Sequence, residues 1–226
     1  MDGKEKMIKA VVFDMDGVIF DTEKLYRKHW IISGEEYGIP REEMEEVCNL
    51  IAGAPKERNS LLMKSRYGED FDYWEFRTKT MNRMDEEIAR DGIELKPGVF
   101  ELLDYLKENG YKIGLATSTV EERAKRNLEY GKVYDYFDEI VYGGVVENGK
   151  PAPDIFLKAC EQLGVKPSEA IGVEDSLNGV TSSSTAGLFT IMVIDLIKPT
   201  EKAREEADKI YDSLFEIIDF LKTEQG

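Results

Sequence analysis

Asp14 and Asp16 stand two positions apart at the end of an apolar run, Ala10-Val11-Val12-Phe13, and Gly17 and Val18 follow them. Two carboxylates so placed can cap a turn, hold a cation, or act as a nucleophile beside a proton donor. A calcium loop would need Asp or Asn at its fifth position and Gly at its sixth. Counted from Asp14 those positions hold Val18 and Ile19, which excludes that reading. The nucleophile reading needs partners elsewhere in the chain: a cation site, a counter-charge for an anionic substrate, and donors for its oxygens.

Three later segments offer such groups. Leu115-Ala116-Thr117-Ser118-Thr119 places hydroxyls and backbone N–H groups between a strand-like segment and a helical one, where anions bind. Thr119 with Glu122 also has the spacing of a capping box, so Thr119 is expected to cap the helix while Thr117 and Ser118 face the pocket. Gly144 to Lys150 matches GxxxxGK, but Pro151 stands where a P-loop needs Ser or Thr for magnesium, and proline has no N–H to donate. That leaves Lys150 as a cation in a loop framed by Gly143, Gly144, Gly149, Pro151 and Pro153. Glu174-Asp175-Ser176 closes a further apolar segment, and two adjacent carboxylates there repel each other unless a cation is present.

The elements that must position these groups follow from periodicity. Ala10–Phe13 reads as a short strand buried on both faces, as in a parallel sheet, and ligands in such sheets bind beyond the carboxyl ends of the strands. Residues 23–93 carry helical patterns only. One has Leu25, Trp30, Ile31 and Tyr37; Arg41 to Ile51 is the second; the third starts at Pro55, with Leu61, Leu62 and Met63; Asp72 to Arg90 is the fourth. After Pro97-Gly98 a helix is expected with Phe100, Leu103 and Leu106 inward, and strands at Lys112–Ala116, Glu139–Tyr142, Ala170–Val173, Thr190–Ile194 and Lys209–Tyr211 then alternate with helices. This alternation predicts an α/β fold, a doubly wound parallel (Rossmann-like) sheet with an inserted α-helical bundle. The domains are expected to be 1–22 with 94–226, and 23–93. The acidic pair, hydroxyls, lysine and second acidic pair each close or follow a strand, so a parallel sheet would gather them on one edge.

The 226 residues carry a net charge of −16, which disfavours nucleic acid and anionic membranes as partners and means that any phosphate site needs its own local positive charge. No stretch has the length of a membrane span, and Met1 to Lys9 lacks the apolar run of a secretory signal. Cys48 and Cys160 lie far apart, outside any CxxC pattern, and read as reduced core residues. The expectation is a cytoplasmic monomer.

With Asp14-Met15-Asp16-Gly17-Val18, Thr117, Lys150-Pro151 and Glu174-Asp175 in this order, the whole chain resembles the haloacid dehalogenase superfamily of phosphohydrolases. The helical insert, Asp21-Thr22-Glu23 and Gly172-Val173-Glu174-Asp175-Ser176 resemble the subgroup containing β-phosphoglucomutase and sugar-phosphate phosphatases. The resemblance implies that the insert is a cap, that Asp14 attacks phosphorus, and that Asp16 protonates the leaving oxygen and then activates water. It implies that Gly17, Thr117, Ser118 and Lys150 serve the phosphoryl group. It also implies Mg2+ held by Asp14, the Asp16 carbonyl and Asp175, with Glu174 close by. The implied partner is a small phosphorylated metabolite.

The chain departs from the mutase at Tyr26, which stands where β-phosphoglucomutase has a cap histidine; the lone histidine, His29, reads as a helix-surface or packing residue. Lys56 matches a basic cap position that contacts substrate in the mutase, and reads equally as a solvated helix lysine. Thr181-Ser182-Ser183-Ser184-Thr185 are weak helix formers where relatives tend to have alanines and a lysine. A receiver-type phosphoacceptor shares the aspartates, threonine and lysine, but the second acid, the helical insert and the chain length argue against it.

Overall fold

The structure, a computed structural model, describes residues 8–52, 54, 56–196 and 198–224. The chain divides into two compact units, one holding the described residues of Met1–Asp21 and Glu94–Gly226, the other Thr22–Ile93.

The first unit is built on a parallel sheet. Its strands are β1 (Ala10–Phe13), β2 (Lys112–Val120), β3 (Glu139–Gly143), β4 (Ala170–Glu174), β5 (Phe189–Val193) and β6 (Lys209–Tyr211). The order across the sheet is β3-β2-β1-β4-β5-β6. β1 therefore lies between β2 and β4, with Phe13 level with Leu115 on one side and Val173 on the other. The chain reverses its direction of winding at β1, and that switch point is where open α/β sheets form their crevice. All four β1 side chains are fully buried, which the unbroken apolar run anticipates. Burying a side chain of the Val or Phe class contributes roughly 1.5–3 kcal/mol, so this strand anchors the sheet.

The helices of this unit are α5 (Val99–Glu108), α6 (Glu121–Tyr130), α7 (Asp154–Leu163), α8 (Leu177–Ala186), α9 (Glu201–Glu206) and α10 (Phe215–Glu224), numbered after four helices in the second unit. Ile155, Phe156, Ala159, Cys160 and Leu163 of α7 pack on Ala10, Val12, Ala116 and Val141. In α5 the buried stripe is Val99, Leu102, Leu103 and Leu106, with Phe100 exposed, contrary to expectation. The 99, 102, 103, 106 spacing is the fuller helical stripe, and position 100 lies about 100° around the helix from Val99. The Asp21 N–H donates to the Glu94 carbonyl and the Lys96 N–H to the Ile19 carbonyl, so the outgoing and returning connections of this unit lie side by side.

The second unit comprises α1 (Thr22–Glu36), α2 (Arg41–Ile51), α3 (Lys56–Tyr67) and α4 (Tyr73–Asp91). Its core gathers Trp30, Ile31, Met44, Val47, Met63 and Phe76. Leu62 packs against that core, while Leu61 is exposed to solvent. The expected helix start at Pro55 lies outside the described residues. His29 is buried with Nε2 3.2 Å from Glu87 Oε2, so it is a packing residue rather than a surface one. Cys48 and Cys160 are buried and free. Among the described residues no helix is long and apolar enough to cross a membrane.

Candidate active site

Asp14 directly follows β1, and its N–H donates to the Val173 carbonyl at 2.9 Å. The chain then turns tightly, with the N–H groups of Ile19 and Phe20 both donating to the Met15 carbonyl. Gly17 makes the turn at φ +82°, a left-handed conformation that side chains rarely adopt, and a Cβ there would come within 2.3 Å of Asp175 Oδ2. A glycine at this position lets the first acidic segment approach the second.

Lys150 arrives from the loop after β3, and its side chain is only 7% exposed. Its ammonium donates to Asp14 Oδ1 at 2.5 Å, to Glu174 Oε1 at 2.5 Å and to the Ala116 carbonyl at 2.8 Å. An ammonium has three protons, and these three acceptors take them all. Burial alone would lower the Lys150 pKa, but the Asp14 and Glu174 carboxylates more than reverse this and hold it well above the ordinary lysine value. Burial pushes the Glu174 carboxyl up to about 7, against the pull of Lys150. With Lys150 held charged at hydrogen-bond distance, the pair is ammonium and carboxylate.

Glu174 ends β4 under the first turn of α8. Its Oε2 accepts from the Asp175 N–H and from the Ser176 hydroxyl. A Cβ on Gly179 would fall 1.8 Å from the Glu174 carboxyl carbon, so only glycine lets the helix sit this close. Ser176 caps α8 by accepting from the Gly179 N–H at 3.1 Å.

Asp14, Glu174 and Asp175 each place a carboxylate oxygen within 4.8 Å of the others. At an effective dielectric of about 20, each such pair repels by about 3–4 kcal/mol. Lys150 offsets part of this, and a net negative charge remains. Hard oxygen donors around that charge fit a divalent cation such as Mg2+ or Ca2+. The Asp16 side chain stands outside this cluster: its Oδ2 accepts from the Thr119 hydroxyl at 2.8 Å.

That contact corrects the expected capping box. β2 runs through Val120 with an irregularity in its pairing between Ala116 and Val120, and α6 begins after Val120 with no side-chain cap. The Thr119 hydroxyl reaches Asp16, a tertiary partner, in place of its own helix. The buried Thr117 hydroxyl accepts from the Thr119 N–H at 3.0 Å, and Ser118 is exposed.

Ser182 supports the loop of Lys150, a contact that sequence reasoning did not foresee. Its hydroxyl donates to the Ala152 carbonyl at 2.5 Å and so anchors the loop bearing Lys150. Ser183 shares a hydrogen bond with Thr190, and the Thr181 hydroxyl donates to Glu206. The weak helix formers of α8 thus hold tertiary hydrogen bonds. The serine-threonine run itself was the available signal.

In the helical unit, Tyr26 is half-buried on α1 with its ring 5.3 Å from that of Trp30, and burial raises its phenol far above the ordinary value. Lys56 is exposed at the start of α3.

Comparison with known proteins adds an independent line. Residues 11–193 match the family model for haloacid dehalogenase-like hydrolases. A phosphorylated carbohydrates phosphatase of Thermotoga maritima is 36% identical over 184 residues, 81% of this chain and 84% of that protein. A beta-phosphoglucomutase of Bacillus subtilis is 32% identical over 200 residues, 82% of this chain and 83% of that protein. The solved structure of a beta-phosphoglucomutase from Clostridium difficile superposes with a TM-score of 0.73 at 26% identity, covering 97% of this chain and 99% of that one.

Proposed function

The chain belongs to the haloacid dehalogenase-like hydrolase family, and from that premise we propose that it is a magnesium-dependent phosphatase of a small phosphorylated metabolite, a sugar phosphate. One observation carries the reading: a buried lysine clamps Asp14 to Glu174 at the carboxyl edge of the sheet, with Asp16 two residues beyond.

An Asp14 carboxylate oxygen attacks phosphorus, and the bond from phosphorus to the ester oxygen breaks. Asp16 gives its proton to that leaving oxygen. The product is an aspartyl-phosphate on Asp14. Asp16, now ionised, takes a proton from water as the water oxygen attacks phosphorus. Inorganic phosphate leaves, and both carboxyls return to their starting states. The Thr117 hydroxyl and the Ser118 backbone bind phosphoryl oxygens. Lys150 offsets their charge and keeps Asp14 oriented, a role in which one positioned group is typically worth a rate factor of roughly 10²–10³. Asp14, Asp175 and Glu174, with the Asp16 carbonyl, would hold Mg2+, which neutralises the phosphate dianion facing a carboxylate nucleophile.

The curated relative that acts on phosphorylated carbohydrates supports the substrate class. Likeness to β-phosphoglucomutase supports a second reading, a phosphosugar mutase with the same core. Tyr26 weighs against it, because it stands where β-phosphoglucomutase has a cap histidine, and a phenol relays protons at neutral pH less well than an imidazole. A panel of sugar and nucleoside phosphates with Mg2+, followed for both inorganic phosphate and isomerised sugar phosphate, tests the two. Phosphate release abolished by Asp14→Asn is the expected result. Isomer formation without net phosphate release would instead establish the mutase.

A further inference from the structure

We propose that Thr119 is a positioning residue for this reaction, holding the Asp16 carboxyl with its side chain and the Thr117 hydroxyl with its backbone. The inference rests on the phosphatase reading of the site.

The Thr119 hydroxyl lies 2.8 Å from Asp16 Oδ2 and its N–H lies 3.0 Å from Thr117 Oγ1. The irregular pairing beyond Ala116 turns the Thr119 N–H away from β3 and back onto Thr117. A hydroxyl has one proton and two lone pairs. When Thr117 Oγ1 accepts from Thr119, its own proton is aimed elsewhere and is available to a phosphoryl oxygen. On the other side, the Thr119 hydroxyl restrains the rotation of the Asp16 carboxyl, the group that gives and takes the reacting proton.

The helix beside it bears this out. Thr119-Val120-Glu121-Glu122 has the pattern of a capping box, yet α6 has no side-chain cap. The side-chain cap is forgone, and the hydroxyl is directed to Asp16 instead.

Acetyl phosphate separates the two halves of the reaction. Its leaving acetate needs no proton, so phosphoenzyme formation from it does not call on Asp16, whereas hydrolysis of the phosphoenzyme does. Radiolabelled acetyl phosphate with Mg2+ and rapid quenching would follow both steps in the wild type, in Thr119→Val, which keeps the shape and the N–H, and in Thr119→Ser, which keeps the hydroxyl. Formation in Thr119→Val should stay within about twofold of wild type while decay slows about tenfold, part of the roughly 10²–10⁴ that a positioned acid–base group supplies. Thr119→Ser should restore decay to within about twofold. Equal slowing in both variants would mean packing alone, and unchanged decay with a raised KM would mean direct phosphate contact; either overturns the role of Thr119. A wild type that neither forms a phosphoenzyme nor releases phosphate would overturn the phosphatase reading beneath it.

Discussion

Ser182 on α8 donates its hydroxyl to the carbonyl of Ala152, 2.5 Å away and two residues beyond Lys150. The helix that begins under Glu174 thereby also holds the loop that supplies its counter-charge. Ser182→Ala would leave the Ala152 carbonyl without this buried partner, at about 1–3 kcal/mol. Urea unfolding should report that loss, and kcat should fall severalfold with KM little changed, because the Lys150 loop loses its anchor. A variant with wild-type stability and kcat would remove Ser182 from the support of the site.

Lys150→Met should be the most damaging change to the charge balance. It strands two buried carboxylates, and breaking a buried pair on one side destabilises by about 3–5 kcal/mol. Melting in metal-free buffer should therefore drop sharply. Adding Glu174→Gln should recover part of the loss, since one of the stranded charges is gone. Phosphatase activity should stay at least about a hundredfold low in both variants, and recovery of activity in the double variant would argue that Lys150 serves stability alone.

Gly17→Ala tests the approach of the two acidic segments. The added methyl meets Asp175 Oδ2 at 2.3 Å and the φ of +82° is unfavourable for alanine. Asp175 must shift, so the concentration of Mg2+ giving half-maximal activity should rise about tenfold or more, a coupling of about 1.4 kcal/mol. Titration calorimetry with Mg2+ would check the same loss without turnover; unchanged affinity would separate Asp175 from the metal.

His29 gives a pH signature to the helical unit. Burial lowers its pKa, outweighing the opposing pull of Glu87, while Lys28 and Arg83 add to the lowering. The unfolded chain therefore binds a proton more readily than the folded one. The stability tied to neutral His29 is complete above the ordinary histidine value and is lost as pH falls below it. Between pH 7 and pH 5 the wild type should lose more thermal stability than His29→Gln. Parallel slopes for the two proteins would show that His29 does not titrate across this window.

Much of the architecture was legible locally, since the apolar run of β1, the exact span of α2 and the acidic ends of two strands are each written in adjacent residues. The patterns that identify a strand or a carboxylate pair depend only on neighbours in sequence, so composition and periodicity suffice for them. Residues without a unique local meaning were not legible in this way. The Thr119 hydroxyl satisfies a capping pattern on paper and reaches Asp16 in the fold, 103 residues away in the chain. Lys150 meets Asp14 across a separation of 136 residues. The strand order that sets β1 between β2 and β4 is decided by pairing between segments about a hundred residues or more apart, for which no periodicity exists. Sequence by itself thus determined which groups are available and which elements carry them. Only tertiary structure decided which acceptor each lysine proton and threonine hydroxyl takes, because a hydrogen bond is made to whichever partner the packed fold brings within reach.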